Sequence, residues 1–432
     1  MFDVIKNGQK KFIFTKIFIL MLLFYYDFDL LTNINNLNSY IENEKQIQRI
    51  ENYFKFCNDF KSKKIRRFKK MNKPEVSIIS PLYNRERYIL RLLRSIQYQT
   101  FHNIEIILVD DNSIDNSVQL IEELQQIDER IILIKNKKTK GTFVARNIGV
   151  QYSSGKYITI PDPDDIISKD IVRTCYLYAE KFKYEMIRFN SYIGGGKLGF
   201  HNLINIIESG PLYQPQLSSE IFYGSKELQM VDYYIYNKFI LKDVYIKALN
   251  SLNKFYSNMY MIYMEDQVMN YILHRIAKSF YFLKVIGYYH LSNSVSVMSN
   301  LFKIPELRMK FSFIYLKFIF EYSKNTKYEK DMANHLFTIL NKQFNIAGRL
   351  QATDYEENDY NLYYDIVNTY LNCSYIDNEN KYFLNNFKFI IEKKNISYQK
   401  NLAKMKNIMN ITNITNITNI TNITNNTSHL IL

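Results

Sequence analysis

Short runs of β-branched residues alternate with helical segments in the part of the chain that follows Pro74. Four such runs are typical of buried strands: Val76–Ser80, Ile104–Val109, Ile131–Ile134 and Tyr157–Ile160. Between the first two runs, apolar residues recur at the i, i+3, i+4 and i+7 spacing of one helix face. Strands that alternate with helices require a parallel sheet with right-handed crossovers. The pattern therefore predicts an α/β fold with a mostly parallel sheet and flanking helices.

Two of the predicted strands end in acidic residues. Asp110 and Asp111 follow the second strand, and Asp162, Asp164 and Asp165 follow the fourth. Carboxyl ends of parallel strands meet at one edge of the sheet, where open α/β folds bind their ligands. Because like carboxylates repel, two such clusters at one edge need a cation or hydrogen-bond donors. An Asp-x-Asp suits Mg²⁺ or Mn²⁺ with a diphosphate, although a solvated turn explains the tripeptide alone about as well.

Two further segments carry candidate site residues. Glu265 and Asp266 begin a helical segment, where acidic side chains complement the helix dipole by about 0.3–1 kcal/mol each. His290 lies in the segment Tyr-Tyr-His-Leu-Ser-Asn-Ser. Its imidazole would reach a diphosphate or a metal, or would serve as a hydrogen-bonded structural histidine. The residues alone leave both roles of His290 open.

Composition restricts the class of partner. The 56 Lys and Arg residues against 42 Asp and Glu residues give a formal charge of +14. Such a surface attracts nucleic acid, anionic lipid or the phosphates of a nucleotide-sugar. No zinc-finger, RRM or helix-turn-helix signature accompanies the charge, so nucleic acid is excluded as the expected partner. Three widely spaced cysteines predict neither a disulfide framework nor a metal cluster.

Five sequence blocks, taken in order over residues 76–165, together resemble one known family. They read VSIISPLYNRERYI, SIQYQTF, IEIILVDDNSIDNS, GTFVARNIG and GKYITIPDPDD. This region is similar to the nucleotide-binding half of a family-2 glycosyltransferase with the Rossmann-like glycosyltransferase A-type fold. The resemblance implies a nucleotide-sugar site with Pro81, Tyr83 and Asn84 by the base, Asp111 on the uracil, Asp162 by the ribose and Arg146 at the nucleotide end.

The resemblance also implies a metal and a base. Asp164 would hold Mn²⁺ or Mg²⁺, with Asp162 and His290 as further candidate ligands. Glu265 and Asp266 resemble the Glu-Asp pair of the family, of which the Asp is the general base. In an inverting transfer the base deprotonates the acceptor hydroxyl as it attacks opposite the leaving diphosphate. Pro163 departs from the small residue that is common in the family at this position, and its ring stiffens the turn between Asp162 and Asp164.

The function that we expect is transfer of a sugar from a nucleotide-diphospho-sugar, such as a UDP-sugar, to an acceptor hydroxyl. The acceptor would be a carbohydrate, a lipid-linked glycan or a protein. A catalytically inactive nucleotide-sugar-binding protein is the alternative. A nucleotidyltransferase is a further alternative, but the Gly-rich basic loop expected after its first strand is missing.

The termini complete the predicted organisation. Lysines precede the apolar run Ile17–Tyr26, which is typical of a signal or a short membrane anchor. This predicts a single-pass protein of the secretory pathway (Golgi or ER), with a cytoplasmic protein as the alternative. The predicted segments are 1–30 (signal or anchor), 31–73 (helical stem or linker), 74–300 (catalytic domain, with 74–167 binding the nucleotide-sugar and 168–300 as the acceptor half), 301–400 (helical appendage) and 401–432 (low-complexity Asn-Ile-Thr tail).

Overall fold

The computed structural model describes residues 67–194, 212–213, 234–252, 254–291 and 305–323, with isolated positions at 52, 57 and between 363 and 403. The chain divides into two compact units, Met1–Lys63 and Lys64–Leu432, and all elements below belong to the second. The predicted signal or anchor lies outside the described residues. So do most of the predicted stem and, except for residue 403, the predicted tail.

The described part of the second unit consists of one sheet and the helices around it. The strands are β1 Val76–Leu82, β2 Ile104–Asp110, β3 Ile131–Lys135, β4 Tyr157–Thr159, β5 Ile166–Ile167, β6 Met186–Gly194, β7 Leu212–Tyr213, β8 Lys238–Leu241 and β9 Ser279–Leu291. The helices are α1 Ile89–Gln97, α2 Ser117–Gln125, α3 Thr142–Tyr152, α4 Ile171–Phe182, α5 Lys242–Ser251, α6 Lys254–Ser257, α7 Glu265–Ile276 and α8 Pro305–Ser323.

The sheet is mixed but mostly parallel. Its strand order is β3-β2-β1-β4-β8-β6-β9-β5, and β7 pairs with β9 off this path. Strands β1 to β4 are parallel to one another, as are β6 and β9. Strand β8 runs antiparallel to both of its neighbours, β4 and β6. The predicted α/β class, with a mostly parallel sheet and flanking helices, is confirmed.

The central strands are buried on both faces, which explains their continuous apolar sequence. All seven residues of β1 and of β2 are buried. Glu105 and the terminal Asp110 are the charged residues of this pair of strands. The carboxylate of Glu105 accepts hydrogen bonds from Ser77 Oγ, Ser154 N and Gly155 N. A buried carboxylate with these donors is satisfied without a cation.

The core lies on both faces of the sheet. Alternate residues of β1 point to opposite sides, so that Ile79 joins one apolar cluster and Ile78 the other. Helix α3 packs on the Ile79 side at short range. A Cβ added at Gly149 would come within 2.4 Å of Ile79 Cγ2. This close approach sets the position of α3, and therefore of Arg146, relative to the ends of the central strands.

Helix α8 packs its aromatic side chains against the same side of the sheet as α3. Phe311, Tyr315 and Phe318 are buried there together with residues of α7. Among the described residues, no helix combines the length and the apolar character that a membrane crossing needs.

Candidate functional site

A cavity of about 500 Å³ opens at the carboxyl ends of β1, β2 and β4. This is the edge of the sheet where the acidic residues at the strand ends predicted a ligand site. Nine of the ten candidate residues line it: Pro81, Tyr83, Asp111, Arg146, Asp162, Asp164, Glu265, Asp266 and His290. The cavity therefore brings together groups that lie far apart in the sequence, from the first strand to the last.

Asn84 is the candidate residue that does not line this cavity. Its backbone N–H donates to Ser113 Oγ at 2.9 Å, and its Oδ1 accepts from the N–H of Ile114 at 2.9 Å. Asn84 also has a φ of 51°, a left-handed conformation that asparagine tolerates better than most residues. In this structure Asn84 thus joins the loops that follow β1 and β2.

Asp111 shapes the loop that precedes α3. Its carboxylate accepts hydrogen bonds from Asn136 Nδ2 at 2.8 Å, from the N–H of Lys140 at 2.9 Å and from the N–H of Gly141 at 2.8 Å. Gly141 has a φ of 87°, and a Cβ there would approach Tyr260 and Met261 to 3.1–3.2 Å. Asp111 consequently holds one wall of the cavity in place.

Arg146 connects two sides of the cavity. Its Nη2 lies 2.8 Å from Asp162 Oδ1, and its Nη1 lies 3.1 Å from Glu265 Oε1. The same Nη1 also pairs with Asp266 Oδ1. One nearly buried guanidinium therefore links the turn after β4 to the first residues of α7. We predicted Arg146 to lie at the nucleotide end of the site, but its three acidic partners were not predicted.

The electrostatics of this cluster follow from burial and from the excess of carboxylates. Burial raises the pKa of Asp162 despite the opposing charge of Arg146. Burial also raises the pKa of Glu265, and the adjacent Asp266 raises it further. Burial opposes ionisation of Arg146, but the three carboxylates outweigh it and hold its pKa well above the ordinary value. Arg146 is therefore permanently charged and offsets part of the repulsion between the acids.

Asp266 is held at the start of α7. Its Oδ2 accepts a hydrogen bond from the N–H of Ile235 at 3.3 Å, while its Oδ1 pairs with Arg146. Met264, just before the helix, adopts a left-handed conformation with a φ of 63°. This turn and the two hydrogen bonds keep the carboxylate at the cavity wall.

A second hydrogen-bond cluster joins the turn after β4 to the end of β9. Asp165 is fully buried and accepts from Tyr288 OH at 2.5 Å, His290 Nδ1 at 3.0 Å and the N–H of Leu291 at 2.9 Å. The hydrogen bond to Asp165 raises the pKa of His290 to about 9, although burial acts in the opposite direction. Tyr236 stacks on Tyr288 with 4.3 Å between ring centroids. His290 is thus both a hydrogen-bonded histidine and a lining residue of the cavity.

Sequence reasoning assigned no role to Asp165, Tyr236 or Tyr288. The sequence shows Asp165 as the third acid of its cluster. Nothing in the sequence indicated that its carboxylate would accept hydrogen bonds from β9 instead of facing the cavity. The pairing joins residues more than 120 positions apart.

The fit of a divalent metal depends chiefly on Asp164. This half-buried residue lines the cavity, and its backbone carbonyl accepts from Arg91 Nη2. Within the described ranges, no three His, Cys, Asp or Glu side chains are grouped as metal ligands. Asp162 is engaged by Arg146. The residues fit an ion that is bound by one or two carboxylates and completed by phosphate oxygens, as is usual for Mg²⁺.

Part of the chain matches a known sequence family. Residues 77–249 match the sequence model described as glycosyl transferase family 2. The chain is 34% identical over 117 residues to the glycosyltransferase GlyG of Streptococcus pneumoniae serotype 4. It is 42% identical over 100 residues to an uncharacterized glycosyltransferase of Haemophilus influenzae. These matches cover 27% and 23% of this chain, and 39% and 40% of the two relatives.

Comparison with solved structures concerns the fold. The chain resembles the crystal structure of S. aureus TarS 1–349 in complex with UDP-GlcNAc, with a TM-score of 0.52 and 17% sequence identity. The match covers 76% of this chain and 92% of that structure. The complex of the same protein with UDP gives a TM-score of 0.52 at 15% identity.

Proposed function

We propose that this protein transfers a sugar from a nucleotide-diphospho-sugar to an acceptor hydroxyl, because residues 77–249 match the sequence model described as glycosyl transferase family 2. The observation that supports the proposal most directly is the cavity at the carboxyl ends of β1, β2 and β4. It combines the strand-end acids Asp111, Asp162 and Asp164 with the acids Glu265 and Asp266 of α7. The donor would contact the first group and the acceptor the second.

The donor that we propose is a UDP-sugar. The structurally similar TarS was crystallised with UDP and with UDP-GlcNAc. In this chain Pro81 and Tyr83 line the cavity beside Asp111, at the end of the fold where open α/β sheets bind nucleotides. The acceptor would be a carbohydrate, a lipid-linked glycan or a protein.

Asp266 is the general base of the proposed reaction. A carboxylate in this position would take the proton of the acceptor hydroxyl as its oxygen attacks the anomeric carbon. Glu265, whose pKa is raised by burial, would keep the neighbouring charge low and help to orient the start of α7. Attack from the face opposite the diphosphate would invert the anomeric configuration.

A divalent cation, Mn²⁺ or Mg²⁺, would be held by Asp164, with Asp162 and His290 as further candidate ligands. When bound, such an ion neutralises the charge of the departing diphosphate. Arg146 pairs with both Asp162 and Asp266 and so fixes the position of the two carboxylates relative to each other. With its pKa raised by Asp165, His290 is protonated near neutral pH. In that form it has no lone pair for a metal and would instead donate to the diphosphate, so it could ligate the ion only after losing its proton.

The test is turnover of a panel of nucleotide-sugars by the full-length protein, with added Mn²⁺ or Mg²⁺ and with EDTA. Asp266→Asn is expected to lower turnover by at least about a hundredfold, the usual contribution of a positioned base. Its affinity for the donor should stay close to that of the wild type, because the base acts in the chemical step. Glu265→Gln is the matched control and should be milder. NMR of the product gives its anomeric configuration, and a retained anomer would exclude single displacement.

A catalytically inactive nucleotide-sugar-binding protein is the second candidate. The observation that favours it is that both oxygens of Asp266 have hydrogen-bond partners in this structure. Such a protein would bind UDP-sugar and show neither transfer nor metal-dependent hydrolysis of the donor. Measurable hydrolysis that Asp266→Asn abolishes would exclude this candidate.

A further inference from the structure

A second cavity, of about 830 Å³, adjoins the proposed donor cavity. It lies between the loop 138–140, the face of α3 that carries Asn147 and Gln151, the end of α5, and residues 257–260. We call it the lysine cavity, because Lys138 and Lys140 line it. Thr139 and Tyr260 line both cavities, so the two are neighbours that share a wall.

The lining of the lysine cavity is basic and polar. Among the described residues no carboxylate lines it, whereas two lysines do. Four side-chain amides contribute both donors and acceptors: Asn147, Gln151, Asn250 and Asn258. Ammonium groups bind phosphate as point charges, and amides match the paired donors and acceptors of sugar hydroxyls.

Part of the lining is apolar. Val144 and Ile148 of α3 lie in the wall with Leu249 and Leu252. Small-molecule sites typically combine such an apolar surface with a few polar groups that orient the ligand. The carbon face of a sugar ring would pack on these side chains while its hydroxyls meet the amides.

Two polar atoms of this wall are buried without a partner. Asn147 is 4% exposed and its Oδ1 accepts a hydrogen bond from Tyr245 OH at 2.9 Å, which leaves the Nδ2 as the free donor. In the described part of the chain, neither Asn147 Nδ2 nor Thr139 Oγ1 has a hydrogen-bond partner. Buried polar atoms normally have a hydrogen-bond partner, so an acceptor oxygen of a ligand would satisfy the Nδ2 donor of Asn147.

We infer that the lysine cavity is a binding site for a phosphate-bearing carbohydrate. Lys138 and Lys140 hold the phosphate, and the amide of Asn147 donates to a sugar oxygen. The site is distinct from the proposed donor site, and its existence does not depend on the proposed transfer reaction. The two sites are connected, because the N–H groups of Lys140 and Gly141 hold Asp111 at the donor cavity.

Isothermal titration calorimetry of the full-length protein tests the inference. The probe is glucose 6-phosphate, with glucose and inorganic phosphate as the two half-ligands. We expect one saturable site that binds glucose 6-phosphate more tightly than either half-ligand, with and without UDP. No binding, or equal binding of phosphate alone, would overturn the inference. So would competition with UDP in proportion to its concentration, because the probe would then occupy the donor cavity.

Lysine variants locate the site. Lys138→Gln and Lys140→Gln should each weaken binding of the probe about tenfold, since a hydrogen bond to a charged group is lost. Lys137→Gln is the matched control, because Lys137 is an exposed neighbour that lines neither cavity. Equal effects of all three variants would mean non-specific attraction and would overturn the inference. Circular dichroism confirms that each variant is folded.

Comparison of a short and a long ligand distinguishes two sources of the phosphate-bearing carbohydrate. An oligomer of repeating sugar phosphates that binds more tightly per molecule than glucose 6-phosphate identifies a segment of a polymeric acceptor. Equal affinity identifies a free sugar phosphate that acts as an effector. Both readouts are binding measurements, so they stand whether or not the protein transfers a sugar under the same conditions.

Discussion

Replacement of Arg146 by glutamine should destabilise the protein, and more strongly at higher pH. The guanidinium is the shared partner of Asp162, Glu265 and Asp266. Its side chain is 6% exposed and those of its partners are 11–25% exposed. Removal of one partner of a buried ion pair typically costs about 3–5 kcal/mol. We expect about 3 kcal/mol, the lower end of that range, because the three acids keep some contact with water.

The pH dependence follows from the direction of the pKa shifts. Burial already raises the pKa of Asp162 and of Glu265 in the folded protein. A carboxyl group with a raised folded pKa binds its proton more tightly when folded. Its ionisation therefore lowers stability as the pH rises above the unfolded value of about 4. Arg146→Gln removes the cation and raises these folded pKa values further, so the variant should lose more stability between pH 5 and pH 8 than the wild type.

Thermal unfolding followed by circular dichroism in EDTA measures this effect. At pH 8 the melting temperature of Arg146→Gln should fall by about 3–4 °C, and at pH 5 by less. A second substitution, Glu265→Gln, should restore part of the loss at pH 8, because it removes one of the unpaired charges. Equal losses at both pH values, with no recovery in the double variant, would refute the electrostatic account of this cluster.

Three further substitutions test separate parts of the structure. Asp164→Asn should abolish turnover and weaken donor binding in Mn²⁺ without changing the melting temperature; full activity, or wild-type activity in excess EDTA, would exclude the metal assignment. Gly149→Ala should lower stability by about 1–3 kcal/mol in urea unfolding, because its Cβ would meet Ile79 Cγ2 at 2.4 Å; an unchanged midpoint would show that the helix can move away freely. Asp165→Asn should lower the pKa of His290 from about 9 towards the ordinary value of about 6.5, as measured by NMR titration of the imidazole; an unshifted titration would contradict the role of Asp165.

Much of the parallel half of the fold was predictable from local sequence. Strands β1 to β4 were located to within two residues, because strands buried on both faces appear as continuous β-branched runs. Strand β8 was not predicted, and its antiparallel orientation depends on pairing with β4 and β6. Strand β5 has only two residues, which is too short for any periodicity. Short strands of this kind form because they pair with neighbouring strands, and their own sequence does not predict them.

The sequence alone determined which strand ends are acidic and that α7 begins with Glu265 and Asp266, because these are properties of consecutive residues. Only the tertiary structure decided which charges meet. Arg146 pairs with an acid 16 residues away and with another 120 residues away. Asp165 turns to β9 while Asp164 lines the cavity. Electrostatic and hydrogen-bond partners are chosen by distances of a few ångströms in the folded chain, and those distances are set by how α3, α7 and β9 pack on the sheet.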